Sequence, residues 1–187
     1  REGYLKSRMR HTGENGMLTI TRHESLPGTS TLRDELWLPH PINDVFGFFA
    51  DAFQLEQITP PWLHFHVQTP KPITLQSGSL IDYKLRLHGI PIRWRTEISD
   101  WEPPYRFVDR QLHGPYRLWR HLHTFEERDG GTLVKDHVDY AVPGGSLIDR
   151  FFVRPDLRRI FAFRHQKLRQ LFGQSLPTTT EVERGQP

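Results

Sequence analysis

The chain has 187 residues, a formal net charge of +3 and no cysteine, which excludes disulfides, thiol nucleophiles and thiolate metal sites. It contains no run of about 18 apolar residues and no charged segment leading into an apolar one, so we expect neither a membrane span nor a signal peptide. This length and composition predict one soluble domain, and the lack of cysteine fits an expected cytoplasmic location.

The two ends of the chain differ from its middle in having no hydrophobic periodicity. Residues 1–28 are predicted to form a flexible N-terminal extension. Residues 173–187 are polar and rich in Pro and Thr, and they are predicted to be a disordered tail. The folded domain is therefore expected to span residues 29–172.

The domain begins with one strand followed by two short helices. Apolar and polar residues alternate over Thr29–Leu38, which is typical of a strand. After a Pro-His-Pro break, Asn43 or Asp44 can cap a short helix over residues 45–49. A second helical piece covers Ala52–Ile58 and ends at a Thr-Pro-Pro sequence.

The middle of the chain is predicted to be a succession of strands joined by tight turns. The six runs are Leu63–Val67, Ser79–Leu87, Ile90–Asp100, Tyr105–Leu112, Tyr116–Phe125 and Thr132–Val142. Short connections favour an antiparallel meander, because parallel neighbours would need long crossovers. The His88-Gly89 turn sets Tyr83 opposite Trp94 and places the apolar side chains of both strands on one face.

The last element is predicted to be a long helix from about Ser146 to Phe172, divided or kinked by Pro155. One antiparallel sheet with a single apolar face must be covered, and this is the only long helix available. We therefore predict an α+β helix-grip fold. A curved sheet of about seven strands would wrap around the C-terminal helix, two short helices after the first strand would close one end, and a cavity would remain between them.

The hairpin from Gly114 to Gly144 carries polar residues where a core strand would be apolar. Side chains alternate along a strand, so Trp119, His121 and His123 share one face. Pairing about the turn at residues 128–131 sets His123 opposite Asp136 and Trp119 opposite Tyr140. A face that mixes aromatic groups with a few polar ones is typical of a pocket wall.

The same alternation, extended to the neighbouring strands and the last helix, predicts the residues that line the pocket. The predicted ligand-binding residues are Tyr83, Trp94, Phe107, Asp109, Gln111, Trp119, His121, His123, Asp136, Val138, Tyr140, Phe161 and Arg164. Arg164 is included because its spacing from Phe161 and Leu168 could turn it toward Asp109 or Asp136.

The polar members of this set leave three interpretations open. Burying a polar group without a partner costs about 1–3 kcal/mol, so these groups must pair with each other, with water or with a ligand. They could form a self-satisfied network, or hydrogen-bond a ligand in a mostly apolar cavity. They could also act in general acid–base catalysis, with His123 as the acid or base and Asp136 orienting its ring.

A metal site is a weaker hypothesis. His121 and His123 point the same way, as metal ligands must, and Asp136 could be the third ligand. Yet His-x-His arises readily by chance in a chain with eleven histidines, and the second such pair, His64 and His66, is predicted on the outer face. We therefore expect no metal and no other cofactor.

The final helix is strongly basic. Its cationic residues are Arg150, Arg154, Arg158, Arg159, Arg164, Lys167 and Arg169, against a single Asp156. The pattern indicates either a solvated helix face or a surface for an anionic membrane or a protein partner. Nucleic acid is not an expected partner, because no recognised binding motif accompanies the charge.

Several stretches resemble one known family. These are Ile58–Val67, Gly78–Trp94, Trp101–Phe125, Asp136–Gly145 and Ile160–Leu168. They are similar to the START-like, birch-pollen-allergen-like (SRPBCC) superfamily, and most of all to bacterial ligand-binding SRPBCC proteins of the polyketide cyclase/dehydrase-like branch. The resemblance implies a helix-grip fold with a hydrophobic tunnel for lipids, sterols, quinones or polyketides. Members include carriers, cyclases, oxygenase subunits and regulators, so it implies no single activity.

The expected function is the binding or carriage of a small hydrophobic ligand, such as a lipid, a quinone or a polyketide-like molecule, without catalysis. One alternative is a cyclase or dehydratase that uses a His123–Asp136 acid/base pair. Another is a protein that binds a partner or a membrane surface through its Arg-rich C-terminal helix.

Overall fold

One antiparallel sheet of eight strands dominates the structure, a computed structural model that describes residues 18–173. The strands are β1 (Thr19–Arg22), β2 (Ser30–Leu38), β3 (His66–Val67), β4 (Leu80–Leu87), β5 (Ile90–Glu102), β6 (Arg106–His113), β7 (Leu118–Arg128) and β8 (Gly131–Ala141). Their order across the sheet is β1-β2-β8-β7-β6-β5-β4-β3. Strands β3 to β8 are sequential neighbours, and β2 returns to pair with β8.

The helices follow the predicted order. They are α1 (Ile42–Phe49), α2 (Leu55–Ile58), α3 (Gly145–Ile148) and α4 (Arg154–Phe172), with 3₁₀ turns at Ala52–Gln54 and Pro61–Leu63 and a π-helical turn at Asp149–Val153. Helix α4 packs against α2 and β2. The predicted α+β helix-grip fold is therefore confirmed. Within residues 18–173, no helix combines the length and hydropathy needed to cross a membrane.

The predicted strand register is also confirmed. His123 pairs with Asp136 and Trp119 pairs with Tyr140 across β7 and β8. Tyr83 pairs with Trp94 across β4 and β5. Register is strongly specified here because a one-residue slip would move every apolar side chain to the solvent face.

Two apolar clusters fill the interior. The first includes Leu36, Phe46, Phe49, Phe125 and Phe172. The second includes Leu32, Val138, Tyr140, Leu157 and Phe161. Between them, on the adjacent strands β2, β8, β7 and β6, lies a row of polar side chains, which we call the polar band: Asp34, Asp136, His121, His123 and Asp109. Burying polar groups between two parts of a core requires that they find partners.

The structure corrects the predicted number of strands from about seven to eight. The additional strand is β1, Thr19–Arg22, which pairs with β2 inside the stretch predicted to be an extension. Of its four residues only Ile20 is buried, so the sequence of β1 lacks the alternation of apolar and polar residues that would predict a strand. Residues 1–17 and 174–187, which make up most of the predicted extension and tail, lie outside the described residues.

Three local predictions also need correction. The strand predicted over Leu63–Val67 is a 3₁₀ turn ending at Leu63 followed by the two-residue strand β3, because His64 adopts left-handed backbone angles (φ 44°). Helix α1 follows Pro41 without a side-chain cap from Asn43 or Asp44. The long helix divides just before Pro155, which occupies the first turn of α4, where a missing N–H is harmless.

Candidate ligand-binding site

A pocket of about 190 Å³ lies between the inner face of the sheet and the first half of α4, and we call it the α4 pocket. Its walls come from α2 and the segment after it, from β4 to β7, and from α4. Eight of the residues predicted from the sequence line it: Tyr83, Trp94, Asp109, Trp119, His121, His123, Phe161 and Arg164.

The other five predicted residues lie outside the wall of the α4 pocket. Phe107 stacks on the ring of His123 from the first apolar cluster, and Val138 is fully buried in the second. The amide of Gln111 donates to the backbone oxygen of Tyr116 at 2.7 Å. Alternation along a strand selects a face, but it does not tell how far along that face a pocket extends.

Tyr140 and Asp136 lie outside the wall of the α4 pocket for a different reason, because a polar neighbour holds each side chain elsewhere. The Tyr140 hydroxyl donates to Asp149 at 2.8 Å, in a buried network that also includes Ser30 and Arg154. Asp136 is 6% exposed and sits behind the two imidazoles.

Ten residues complete the wall of the α4 pocket: Leu55, Thr59, Leu63, Phe65, Leu85, Leu87, Thr96, Tyr116, Leu157 and Ile160. Leu85 and Leu87 share the inner face of β4 with Tyr83, and Leu157 and Ile160 have the helical spacing of Phe161, so their patterns could have identified them. The alternation over Leu63–Val67 also placed Leu63 and Phe65 on the buried side, opposite His64 and His66, although they reach the pocket from a 3₁₀ turn and an irregular segment and not from a strand.

Within the polar band, two imidazoles are bracketed by two carboxylates. Nε2 of His123 lies 2.9 Å from Oδ2 of Asp109, and Nε2 of His121 lies 2.7 Å from Oδ1 of Asp136. Nδ1 of His123 approaches the same Asp136 oxygen at 2.8 Å, a distance short enough for a hydrogen bond but poorly directed for one. The imidazole centroids of His121 and His123 are 3.7 Å apart. These contacts join Asp109, His123, Asp136 and His121 into a closed cycle, which we call the four-residue ring. The expected pair of His123 with Asp136 is one contact of this ring, but Asp109 makes the better-directed hydrogen bond with His123.

The surroundings in the four-residue ring shift the pKa values of the two histidines in opposite directions. Burial lowers the pKa of His121, and the neighbouring His123 lowers it further. Burial also acts to lower the pKa of His123, but its hydrogen bond with Asp109 and the close negative charge of Asp136 outweigh burial and the pKa is raised. When the two imidazoles together carry one proton more than in their neutral forms, that proton resides on His123, which is then the imidazolium.

Both carboxylates of the ring are ionised. Burial acts to raise the pKa of Asp136, but the charge of Arg164 and the hydrogen bond from His121 hold it well below its usual range. Burial acts likewise on Asp109, where the hydrogen bond with His123 outweighs it and the pKa is lowered. Two carboxylates, one imidazolium and the Arg164 guanidinium then sum to zero charge.

Arg164 extends from α4 to the α4 pocket, as its spacing predicted. Its guanidinium lies 5.2 Å from the ring centroid of Phe49 and 5.8 Å from that of Phe161. Its Nε and Nη2 atoms are buried, and no described residue accepts a hydrogen bond from them. The guanidinium is therefore a hydrogen-bond donor held ready at the polar end of the pocket.

A metal ion would find one suitable group of side chains in residues 18–173. Asp109, His121 and His123 each offer a ligand atom, and these atoms lie within 4.8 Å of one another. The third member is Asp109, whereas the sequence hypothesis named Asp136.

The curved sheet, the covering helix α4 and a pocket with one polar end define a helix-grip protein. The family model described as "Polyketide cyclase / dehydrase and lipid transport" matches residues 38–166, more than half of the chain, and the protein belongs to this family. The resemblance to the SRPBCC superfamily is thereby confirmed. No curated protein matches the chain.

Solved structures give the same fold at low sequence identity. Protein Ms6760 from Mycobacterium smegmatis is 18% identical, with a TM-score of 0.61, covering 84% of this chain and 98% of that one. Protein CV1439 from Chromobacterium violaceum is 12% identical, with a TM-score of 0.62, covering 78% and 98%. Ara h 8.0201 is 14% identical, with a TM-score of 0.59, covering 79% and 99%. At these identities the likeness shows the fold alone.

Proposed function

We propose that this protein binds a small, mostly apolar ligand that carries an oxygen acceptor at one end, and that it does so without catalysis. The observation that carries the proposal is the Arg164 guanidinium, whose Nε and Nη2 are buried at the α4 pocket without a partner among the described residues. Arginine can only donate hydrogen bonds. Because a buried donor without an acceptor costs about 1–3 kcal/mol, and more when it is charged, a ligand carbonyl or carboxylate oxygen that accepts from Arg164 would be strongly favoured.

The rest of the pocket suits flat apolar groups. The rings of Trp94 and Trp119 pack edge to face with their centroids 5.4 Å apart, and the ring centroid of Tyr116 lies 4.7 Å from that of Trp119. The volume of about 190 Å³ slightly exceeds that of an engineered cavity of about 150 Å³ that accepts benzene. A ligand of one or two rings therefore fits without movement of the walls. This supports a quinone-like or polyketide-like molecule over a long lipid lying wholly inside.

The test compares two probes of the same shape, 2-naphthoic acid and naphthalene, by quenching of tryptophan fluorescence. A hydrogen bond to a charged group contributes about 1.5–3 kcal/mol, so the wild type should prefer the acid by about 10–100-fold. Arg164→Met should abolish that preference. Arg158→Met, an exposed arginine on the same helix, should keep it. An unchanged preference in Arg164→Met would overturn the proposal.

Acid–base catalysis is a second candidate, favoured by the position of His123 in the wall of the α4 pocket. Its hydrogen bond with Asp109 holds the ring, and its raised pKa keeps a transferable proton at the pocket. A cyclase or dehydratase of this kind would release water from a bound hydroxyketone. Molecules retained by the purified protein can be identified by native mass spectrometry and returned to it. Loss of water in the wild type but not in His123→Gln, with binding kept, would favour the enzyme.

A membrane or partner surface is a third candidate, favoured by an apolar patch before α4. Leu147, Phe151 and Phe152 are 68%, 63% and 55% exposed, and Arg150 and Arg158 flank them. Exposed aromatic and aliphatic groups beside arginines suit the interface of an anionic bilayer.

Flotation with vesicles of phosphatidylserine and phosphatidylcholine tests the membrane candidate. Binding should require the anionic lipid, weaken with salt and fall in a Phe151→Ser/Phe152→Ser variant. Ile90→Ser is the matched control, because Ile90 is equally exposed at 63% in the β4–β5 turn. Binding that ignores both salt and the double substitution would exclude this surface. The predicted cytoplasmic location stays a prediction, which fractionation of native cells would check.

A further inference from the structure

The polar band has a geometric property that ligand binding does not use. One oxygen of Asp136 meets one ring nitrogen of each histidine, at 2.7 Å for His121 Nε2 and 2.8 Å for His123 Nδ1. A small rotation of the His123 ring would align the second contact. A single carboxylate oxygen can then accept a hydrogen bond from each imidazole N–H and orient both rings.

The opposite ring nitrogens converge on a different carboxylate. Nδ1 of His121 lies 3.6 Å from Oδ2 of Asp109, and Nε2 of His123 lies 2.9 Å from the same oxygen. When both imidazoles donate to Asp136, these two nitrogens present lone pairs toward a carboxylate oxygen. Three electron-pair donors cannot face one another unless a cation lies between them.

We propose that Asp109, His121 and His123 bind a divalent transition-metal ion, with Asp136 as the carboxylate that orients both imidazole ligands. Two imidazoles and one carboxylate form a ligand set that suits Zn²⁺ and other ions of the first transition series. Carboxylates that accept the second N–H of a ligating histidine are the usual outer partners of such sites.

The spacing of the ligand atoms fits this assignment. For bonds of about 2.1 Å at tetrahedral angles, neighbouring ligand atoms lie about 3.4 Å apart. The 2.9 Å and 3.6 Å separations lie on either side of that value, and all three ligand atoms lie within 4.8 Å of one another. The imidazoles, whose centroids are 3.7 Å apart, would have to rotate so that both lone pairs point to the ion. Asp109, His121 and His123 all line the α4 pocket, so the ion would lie at the wall of the pocket.

The charge of the site also favours a divalent ion. Asp109, as a ligand, and Asp136, as the carboxylate behind the two imidazoles, supply two negative charges that balance the charge of the ion. Arg164 then adds one positive charge at the same end of the α4 pocket, so the loaded site would attract an anionic group. The inference goes beyond the proposed function and does not depend on a hydrogen bond from Arg164 to a ligand.

The experiment uses untagged protein that has been dialysed against a chelator and then titrated with ZnCl₂. Bound zinc is measured by equilibrium dialysis and elemental analysis. One equivalent should bind. Asp136→Asn should weaken the affinity by about 10–100-fold, and Asp109→Asn should weaken it at least as much. The double variant His64→Ala/His66→Ala, which removes the exposed His-x-His pair, should bind like the wild type.

Circular dichroism establishes that each variant is folded. Addition of CoCl₂ to the wild type gives a second readout that needs no substitution, since cobalt bound by nitrogen and oxygen in four or five coordination shows distinct visible absorption. Failure of the wild type to bind one equivalent would overturn the inference. Loss of zinc in the His64/His66 variant but not in Asp109→Asn would do the same.

The two proposals can fail separately. Arg164→Met should still bind zinc. If 2-naphthoic acid binds the chelated protein and zinc does not bind, only the metal inference is wrong. If zinc binds and neither naphthalene nor its acid does, only the ligand proposal is wrong.

Discussion

The two His-x-His pairs of this protein have the same spacing and opposite surroundings. His121 and His123 lie on β7 in the middle of the sheet, are 5% and 3% exposed, and face two carboxylates. His64 and His66 lie at the edge strand β3 and the turn before it, and the side chain of His66 is 67% exposed. The first pair is part of the polar band and the second is ordinary surface.

This comparison shows that motif spacing alone does not define a site. Side chains two residues apart share a face of any strand. Only on β7 does that face lie under a helix, with Asp109 and Asp136 supplied by the strands on either side. A site arises where burial removes water as a hydrogen-bond partner, because each buried polar group must then pair with another polar group of the protein or of a ligand.

The largest expected effect is on stability. His123→Ala removes the hydrogen-bond partner of Asp109 and the imidazolium that lies between the carboxylates of Asp109 and Asp136, and we expect a loss of about 3–5 kcal/mol in the free energy of unfolding. His66→Ala should change it by less than about 0.5 kcal/mol, as is usual at the surface. Urea unfolding followed by circular dichroism measures both. Equal losses would mean that the two pairs are equivalent after all.

The next effect concerns the carboxylates that face each pair. Asp136→Asn leaves one side-chain oxygen to accept hydrogen bonds and adds an NH₂ that repels an imidazole N–H, so it should cost about 1–3 kcal/mol. Glu56 lies 3.8 Å from exposed His66, and Glu56→Gln should cost less than about 0.5 kcal/mol. Thermal unfolding of both variants provides the comparison, and a larger cost for Glu56→Gln would contradict it.

A third prediction concerns titration within the buried pair of the chelated protein. The pKa of His123 is raised and that of His121 is lowered, so two-dimensional NMR should show the rings titrating on opposite sides of about 6.5. The stability contributed by His123 is full below about pH 6.5 and is lost as the pH rises through its folded pKa. That contributed by His121 is present above about pH 6.5 and lost as the pH falls. Coincident titration would contradict the ring geometry.

The smallest effect is expected at His64, where the backbone matters more than the imidazole. Its left-handed angles (φ 44°, ψ 47°) strain any residue with a Cβ by about 1–2 kcal/mol. His64→Gly should relieve that strain while adding chain entropy of about 0.5–1 kcal/mol to the unfolded state, so stability should change little. His66→Gly, in the strand, should be destabilising by about 0.5–1 kcal/mol. A marked loss in His64→Gly would assign a role to the His64 ring.

Much of the architecture could be predicted because it depends on local periodicity. Alternation along β4, β5, β7 and β8, with turns that fix the register, was enough to set His123 opposite Asp136 and Tyr83 opposite Trp94. The short β1 was missed because a strand with one buried residue leaves no pattern, and β3 was overextended because a left-handed His64 has no sequence signature.

The partners within the site were decided by the tertiary structure. Period two selects the face of a strand, but the stagger between neighbouring strands and the position of α4 determine which residues on that face meet. Asp109 therefore makes the better-directed contact with His123, and Phe107 and Val138 join the core. Two donor atoms of the Arg164 guanidinium are buried with no acceptor among the described residues. These outcomes rest on contacts between residues far apart in the chain, which no local pattern encodes.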